Sequence, residues 1–179
     1  TEPIAVAYCA AKLREVLGGK PEEVLAEVSG NILKNVKSVV VPNTDGRRGI
    51  DAAIAVGIVA GDADAELQVI ANVTEDDAAA IQGYLDATPI KVTCPVTPCL
   101  LDIFLHGKRA GHTAAVRVAN NHTNIIYMER DGEVLLEKPL TANAEDNLQD
   151  KSVLNVKDII TFAETVPLDR IEPVIGRQI

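Results

Sequence analysis

Apolar positions follow two different spacings along this chain, and the change falls near Pro89. Up to residue 88 the segments are of helix length or are short β-branched runs; from 89 to 140 apolar and polar residues alternate in the period of strands. The opening stretch, TEPIAVAYCAAKLREVLGG, reads as a helix running to Leu17. Thr1 can cap it through its hydroxyl, Glu2 suits the positive first turn, and Pro3 is tolerated there because its missing N–H has no intrahelical partner. Gly18 and Gly19 stop it. Val24 to Val28 and Val36 to Val41 then read as strands, separated by the polar SGNILKN. VPNTDGRRG, residues 41–49, is a loop with Pro and Asp-Gly turn signals. Helices follow at Ile50–Val59, at about Ala65–Ala71, and from the capping-box-like Thr74-Glu75-Asp76-Asp77 to about Asp86.

Beyond Pro89, residues 89–97, 100–106, 112–119, 124–130 and 133–138 are strand-like, and Asp131-Gly132 is a strong hairpin signal. Residues 90–138 therefore predict an antiparallel meander. TANAEDNLQDKS, 141–152, is a polar connection, and 153–164 predicts a last helix with an apolar stripe at Val153, Val156, Ile159, Ile160 and Ala163. No repeat or low-complexity segment interrupts this order. It predicts one compact α+β domain over 1–179, in two layers with helices packed on a largely antiparallel sheet: helix-rich 1–88, a strand-rich meander 89–140, and a terminal helix.

Composition narrows the partners. The chain has 179 residues, 47% of them hydrophobic, enough for one sizeable core. Its longest apolar run, AAIAVGIVA at 52–60, is too short to span a bilayer, and no charged leader precedes it. These features predict a cytoplasmic protein with no membrane partner. The net charge is −9 and unevenly spread: residues 1–60 hold seven Lys/Arg and seven Asp/Glu, residues 61–179 ten and nineteen. With an acidic balance, only 3% aromatics and no Trp, nucleic acid is excluded as a partner. The neutral first third is the place to look for a small acidic ligand.

Candidate chemistry follows from single residues. Asn31, Lys34 and Asn35 offer the cation and amides that hold a carboxylate, or else form an ordinary polar strand connection. Gly46-Arg47-Arg48-Gly49 before a helix is a candidate second anion site. His106, before Gly107-Lys108-Arg109, reads as a turn residue, whereas His112 and His122 either converge or merely decorate a sheet. Cys9 sits among Ala and Val and reads as core. Cys94 and Cys99 read as flanking a Pro-rich turn, with a redox pair or half a metal site as the alternatives. Neither a dinucleotide fingerprint nor a phosphate-binding loop is present.

Three stretches, TEPIAVAYCAAKLREVLG, SGNILKNVKSVVVPNTDGRRGIDAAIAVGIVAGDADAELQVI and NNHTNIIYMERDGEVLLEK, read together resemble in order and rough spacing the N-terminal half of the L-cysteine desulfidase family, which is related to the iron–sulfur L-serine dehydratases. The family pattern is Gly-Cys-Thr-Glu-Pro, its cysteine a ligand of a [4Fe-4S] cluster. Thr1-Glu2-Pro3 matches and the cysteine would precede Thr1, which implies a fragment of a longer chain. The family's other cluster cysteines belong to a helical C-terminal half, and Cys9, Cys94 and Cys99 do not fall on them.

The resemblance implies a lyase that needs no pyridoxal phosphate and turns L-cysteine or L-serine into pyruvate and ammonia, with sulfide from cysteine. It implies a [4Fe-4S] cluster in the full-length parent and none in this chain alone, which is then inactive. Thr1, Glu2, Asn31, Lys34, Asn35, Thr123 and Asn124 become the expected substrate contacts and His122 the expected catalytic residue. The expected partners are the small amino acid, the C-terminal half and a second copy in a homodimer. The alternative from the residues alone is a non-catalytic domain that binds a small anion or amino acid or serves a structural role, and a redox protein using Cys94 and Cys99 comes last.

Overall fold

The computed structural model of the chain describes residues 1–141 and 155–175. Contacts divide the chain into Thr1–Asn143 and Ala144–Ile179, where the sequence reading placed one domain over 1–179.

The first unit is built around a buried helix. Helix α1 spans Glu2–Leu17 and ends at Gly18, whose φ of 78° is left-handed and turns the Gly18 and Gly19 N–H groups back onto the Glu15 and Arg14 carbonyls. Thr1 is at its N-cap but makes no side-chain cap bond, contrary to expectation. Ala5, Val6, Ala7, Cys9, Ala10, Ala11 and Leu13 are fully buried, so α1 is covered on most of its circumference. Small residues make that possible. Helix α3, Gly49–Ala60, lies so close that a Cβ on Gly57 would stand 2.2 Å from the Ala7 carbonyl oxygen. Only glycine fits there.

Strand β1, Glu23–Val28, leads directly into helix α2, Gly30–Val36. The strand expected at 36–41 is absent: Val36 closes α2, and an isolated bridge between Val40 and Arg48 is all that follows. Ser29 decides this, because its hydroxyl accepts the Ile32 N–H and starts a helix over SGNILKN. The helix expected at 65–71 is a 3₁₀ segment, Ala63–Gln68, interrupted at Glu66 (φ 48°), and the capping box at Thr74 and Asp77 precedes helix α4, Ala78–Ala87.

Strands β2 (Ile90–Thr93), β3 (Asp102–Arg109), β4 (His112–Ala119), β5 (Ile125–Arg130) and β6 (Glu133–Glu137) complete a six-stranded sheet ordered β2-β1-β3-β4-β5-β6. All pairings are antiparallel except β1–β2. The fold is therefore α+β, helices packed on a largely antiparallel open sheet, with one parallel edge that the meander reading missed. Val24, Ala26, Val28, Ile103, Leu105, Val116 and Val118 form the core side of the sheet, against which α1 lies.

In the second unit, helix α5 spans Val156–Thr165 and helix α6 spans Leu168–Ile175. Asn155 caps α5 by accepting the Asp158 N–H. Val153 and the connection from 142 to 152 lie outside the described residues. No helix among the described residues is long and apolar enough to cross a membrane.

Candidate functional site

The N-terminal end of α1, one face of α2 and the β4–β5 turn meet in one place. Asn31 and Asn35 lie four residues apart on α2 and so share a face. The Asn35 amide is 3.5 Å from both the Glu2 carboxylate and the Asn31 side-chain oxygen, long contacts at the edge of hydrogen bonding. Glu2 is half-buried, and its carboxyl is held below the usual carboxylate range, first by its own backbone N–H and against the opposing cost of burial. The nearby His122 adds to that lowering. Lys34 is exposed on the same side of α2, with no ion partner among the described residues.

His122 enters from the β4–β5 turn. Its Nε2 is buried and has no hydrogen-bond partner among the described residues, and the same is true of the Asn120 side-chain oxygen two residues earlier. Buried polar atoms are nearly always satisfied, so this imidazole nitrogen is available to a water or a ligand. Thr123 is half-buried beside it. Asn124 is already employed: its amide donates to the Ala119 carbonyl at 2.9 Å and closes the turn. Of the expected residues, the structure gathers Thr1, Glu2, Asn31, Asn35 and His122, sets Lys34 at the rim, and gives Asn124 a structural bond.

Other expectations change. His112 pairs with Asp131 at 2.8 Å at the start of β4 and does not converge with His122 beyond its far end. His106 is not a turn residue; it lies in β3 opposite Leu25 and Ala115 and contacts Glu27 at 3.0 Å. Arg47 acts as a staple, bonding the Thr44 and Ala78 carbonyls and the Gln82 amide oxygen, and Arg48 bonds the Ser38 carbonyl through Nη1.

Cys9 is sealed in the core with its thiol on the Val116 carbonyl, and burial pushes its pKa far up. Cys94 is exposed, Cys99 is buried with its thiol on the Thr141 carbonyl, and no disulfide joins them. Among the described residues no three His, Cys, Asp or Glu side chains gather into a metal-ligand set. The described residues therefore do not fit a [4Fe-4S] cluster.

A second cluster escaped the sequence reading. Asp102, Phe104 and His106 alternate along β3 and so face away from α1, as does Arg117, which is opposite Phe104. Asp102 is 3% exposed and takes two bonds from Arg117, at 2.8 and 2.7 Å, and one from the Thr97 hydroxyl. The period-two spacing of Asp102, Phe104 and His106 was the available signal.

The architecture defines an α+β domain with one polar cluster at the end of a buried helix and another on the far face of the sheet. No family model matches the chain. Along its whole length it is similar to proteins named UPF0597: 45% identical to one from Treponema denticola, 43% to one from Desulfitobacterium hafniense and 40% to one from Lachnoclostridium phytofermentans. The chain spans about two-fifths (42–43%) of the length of these relatives. The resemblance to the L-cysteine desulfidase family is thereby corrected, since the relatives bear the UPF0597 name and not that of a desulfidase or dehydratase. The stretches that carried it form α1, α2, α3 and the β5–β6 hairpin.

Proposed function

We propose that this chain holds a small zwitterionic amino acid at the N-terminal end of α1, as one part of a longer lyase acting on L-cysteine or L-serine. The observation that carries the reading is the orphaned Nε2 of His122 beside an amide-lined helix terminus and the Glu2 carboxylate. Glu2 takes the α-ammonium. Asn31, Asn35 and Lys34 take the α-carboxylate, with the positive end of α1 adding to the field.

In that pose His122 is the general base. Its Nε2 accepts the α-proton, the Cα–H electron pair forms the Cα–Cβ double bond, and the Cβ–S or Cβ–O bond breaks as the His122 imidazolium returns that proton to the leaving group, releasing hydrogen sulfide or water. The aminoacrylate tautomerises to an imine, and water converts it to pyruvate and ammonia. A cytoplasmic location belongs to the same proposal.

The full-length protein tests it. Pyruvate release from L-cysteine and L-serine is expected, with His122→Gln lowering kcat about 10²-fold or more and Asn35→Ala raising KM. Undiminished pyruvate formation by His122→Gln removes the base assignment. Absence of pyruvate from either amino acid removes the lyase and leaves a binding or structural domain.

A further inference from the structure

The sheet has a second face, turned away from α1, and it carries a cleft of about 660 Å³. Its floor is aromatic: Phe104 and Tyr127 meet edge to face with centroids 5.8 Å apart, and Leu140 adds an apolar wall. The Tyr127 hydroxyl donates to Glu129 at 2.6 Å, which fixes the ring. Arg117 lies over Phe104, 5.1 Å from the ring centroid, held from behind by the buried Asp102 through Nε and Nη2. Among the described residues Nη1 has no hydrogen-bond partner. A guanidinium locked on one edge and open on the other is set to receive an anion. Lys138 places a second cation on the lining and Glu137, opposite Tyr127 in the β5–β6 register, one carboxylate.

We propose that this cleft binds a free α-amino acid with a large apolar or aromatic side chain, its carboxylate on Arg117 and Lys138, its ammonium on Glu137, and its side chain against Phe104 and Tyr127. A zwitterion answers both signs of charge on the lining, whereas a simple anion or cation would leave one of them desolvated and opposed. The aromatic floor selects size, since a small polar side chain would cover little of it. This site uses none of the residues at the α1 terminus, on the other face of the sheet, and stands whether or not the lyase reading does.

The test is saturation-transfer NMR and calorimetry on the chain with L-phenylalanine, 3-phenylpropionate, phenethylamine and L-serine. L-phenylalanine is expected to bind with a Kd of about 1 mM or below, and the two truncated analogues about tenfold or more weaker. Glu137→Gln and Lys138→Ala, both at exposed positions, are each expected to weaken L-phenylalanine severalfold at an unchanged unfolding temperature. Arg117→Lys keeps a charge beside Asp102 and is expected to lose most of the binding. No saturable L-phenylalanine binding, equal binding of 3-phenylpropionate, or displacement by equimolar L-serine would each overturn the assignment.

Discussion

The two faces of the central sheet solve different problems with the same alternation. On one, Val24, Ala26, Val28, Ile103, Leu105, Val116 and Val118 are closed under α1, and shape is all that matters there. On the other, Glu27, Asp102, Phe104, His106, Arg117 and Tyr127 place charge and rings on the intervening positions. The covered face tolerates few changes of volume. The uncovered face tolerates changes of volume but not of charge pairing.

Asp102→Ala separates the two most sharply. It leaves the partly exposed Arg117 guanidinium without its buried partner, and a loss of about 2–3 kcal/mol is expected from denaturant unfolding. The double variant Asp102→Leu/Arg117→Met is expected to recover much of it, because the cost lies in the unpaired charge and not in lost packing. A double variant as unstable as the single would contradict that view of the face.

On the covered face, Gly57→Ala drives a methyl group into the Ala7 backbone, which cannot rotate away as a flexible side chain could. A cost of about 1–3 kcal/mol and a lower unfolding temperature are expected. Next in size, Ser29→Ala removes the cap that makes SGNILKN helical, at about 1 kcal/mol. Loss of α2 order around Asn31 and Asn35, read by amide exchange, should accompany it.

The smallest effect is a pH dependence. Asp131 is lowered below its ordinary value, first by the Thr113 N–H and then by His112. A depressed folded pKa gives stability that is present above the unfolded value near 3.8 and lost as pH falls through the folded one. Asp131→Asn is therefore expected to flatten the acid limb of the stability profile below about pH 4, and His112→Ala to flatten it less. An unchanged limb in Asp131→Asn would remove this contribution.

Much of the fold could be read from the chain because local signals agreed with it. Gly18 and Gly19 stop α1 as expected, the Thr74 box precedes α4, and Asp131-Gly132 turns the β5–β6 hairpin. Val36 to Val41 misled because β-branched propensity lost to the Ser29 cap. The parallel β1–β2 pair could not be read, since pairing partners more than sixty residues apart leave no periodic mark. Asn31 and Asn35 were recognised as polar groups but not as neighbours, which required seeing a helix. His122 was visible only as a residue type; its orphaned nitrogen is a property of packing. Asp102 and Arg117 alternate correctly for a strand, yet nothing local couples them.

The most direct measurement on the central claim is a titration of L-serine into the chain, watched through the histidine ring resonances. Saturable shifts confined to His122 are expected, with His106 and His112 unmoved and the response weakened by Asn35→Ala. Ring resonances of His122 that stay fixed across the titration, in protein that remains folded, would contradict the claim.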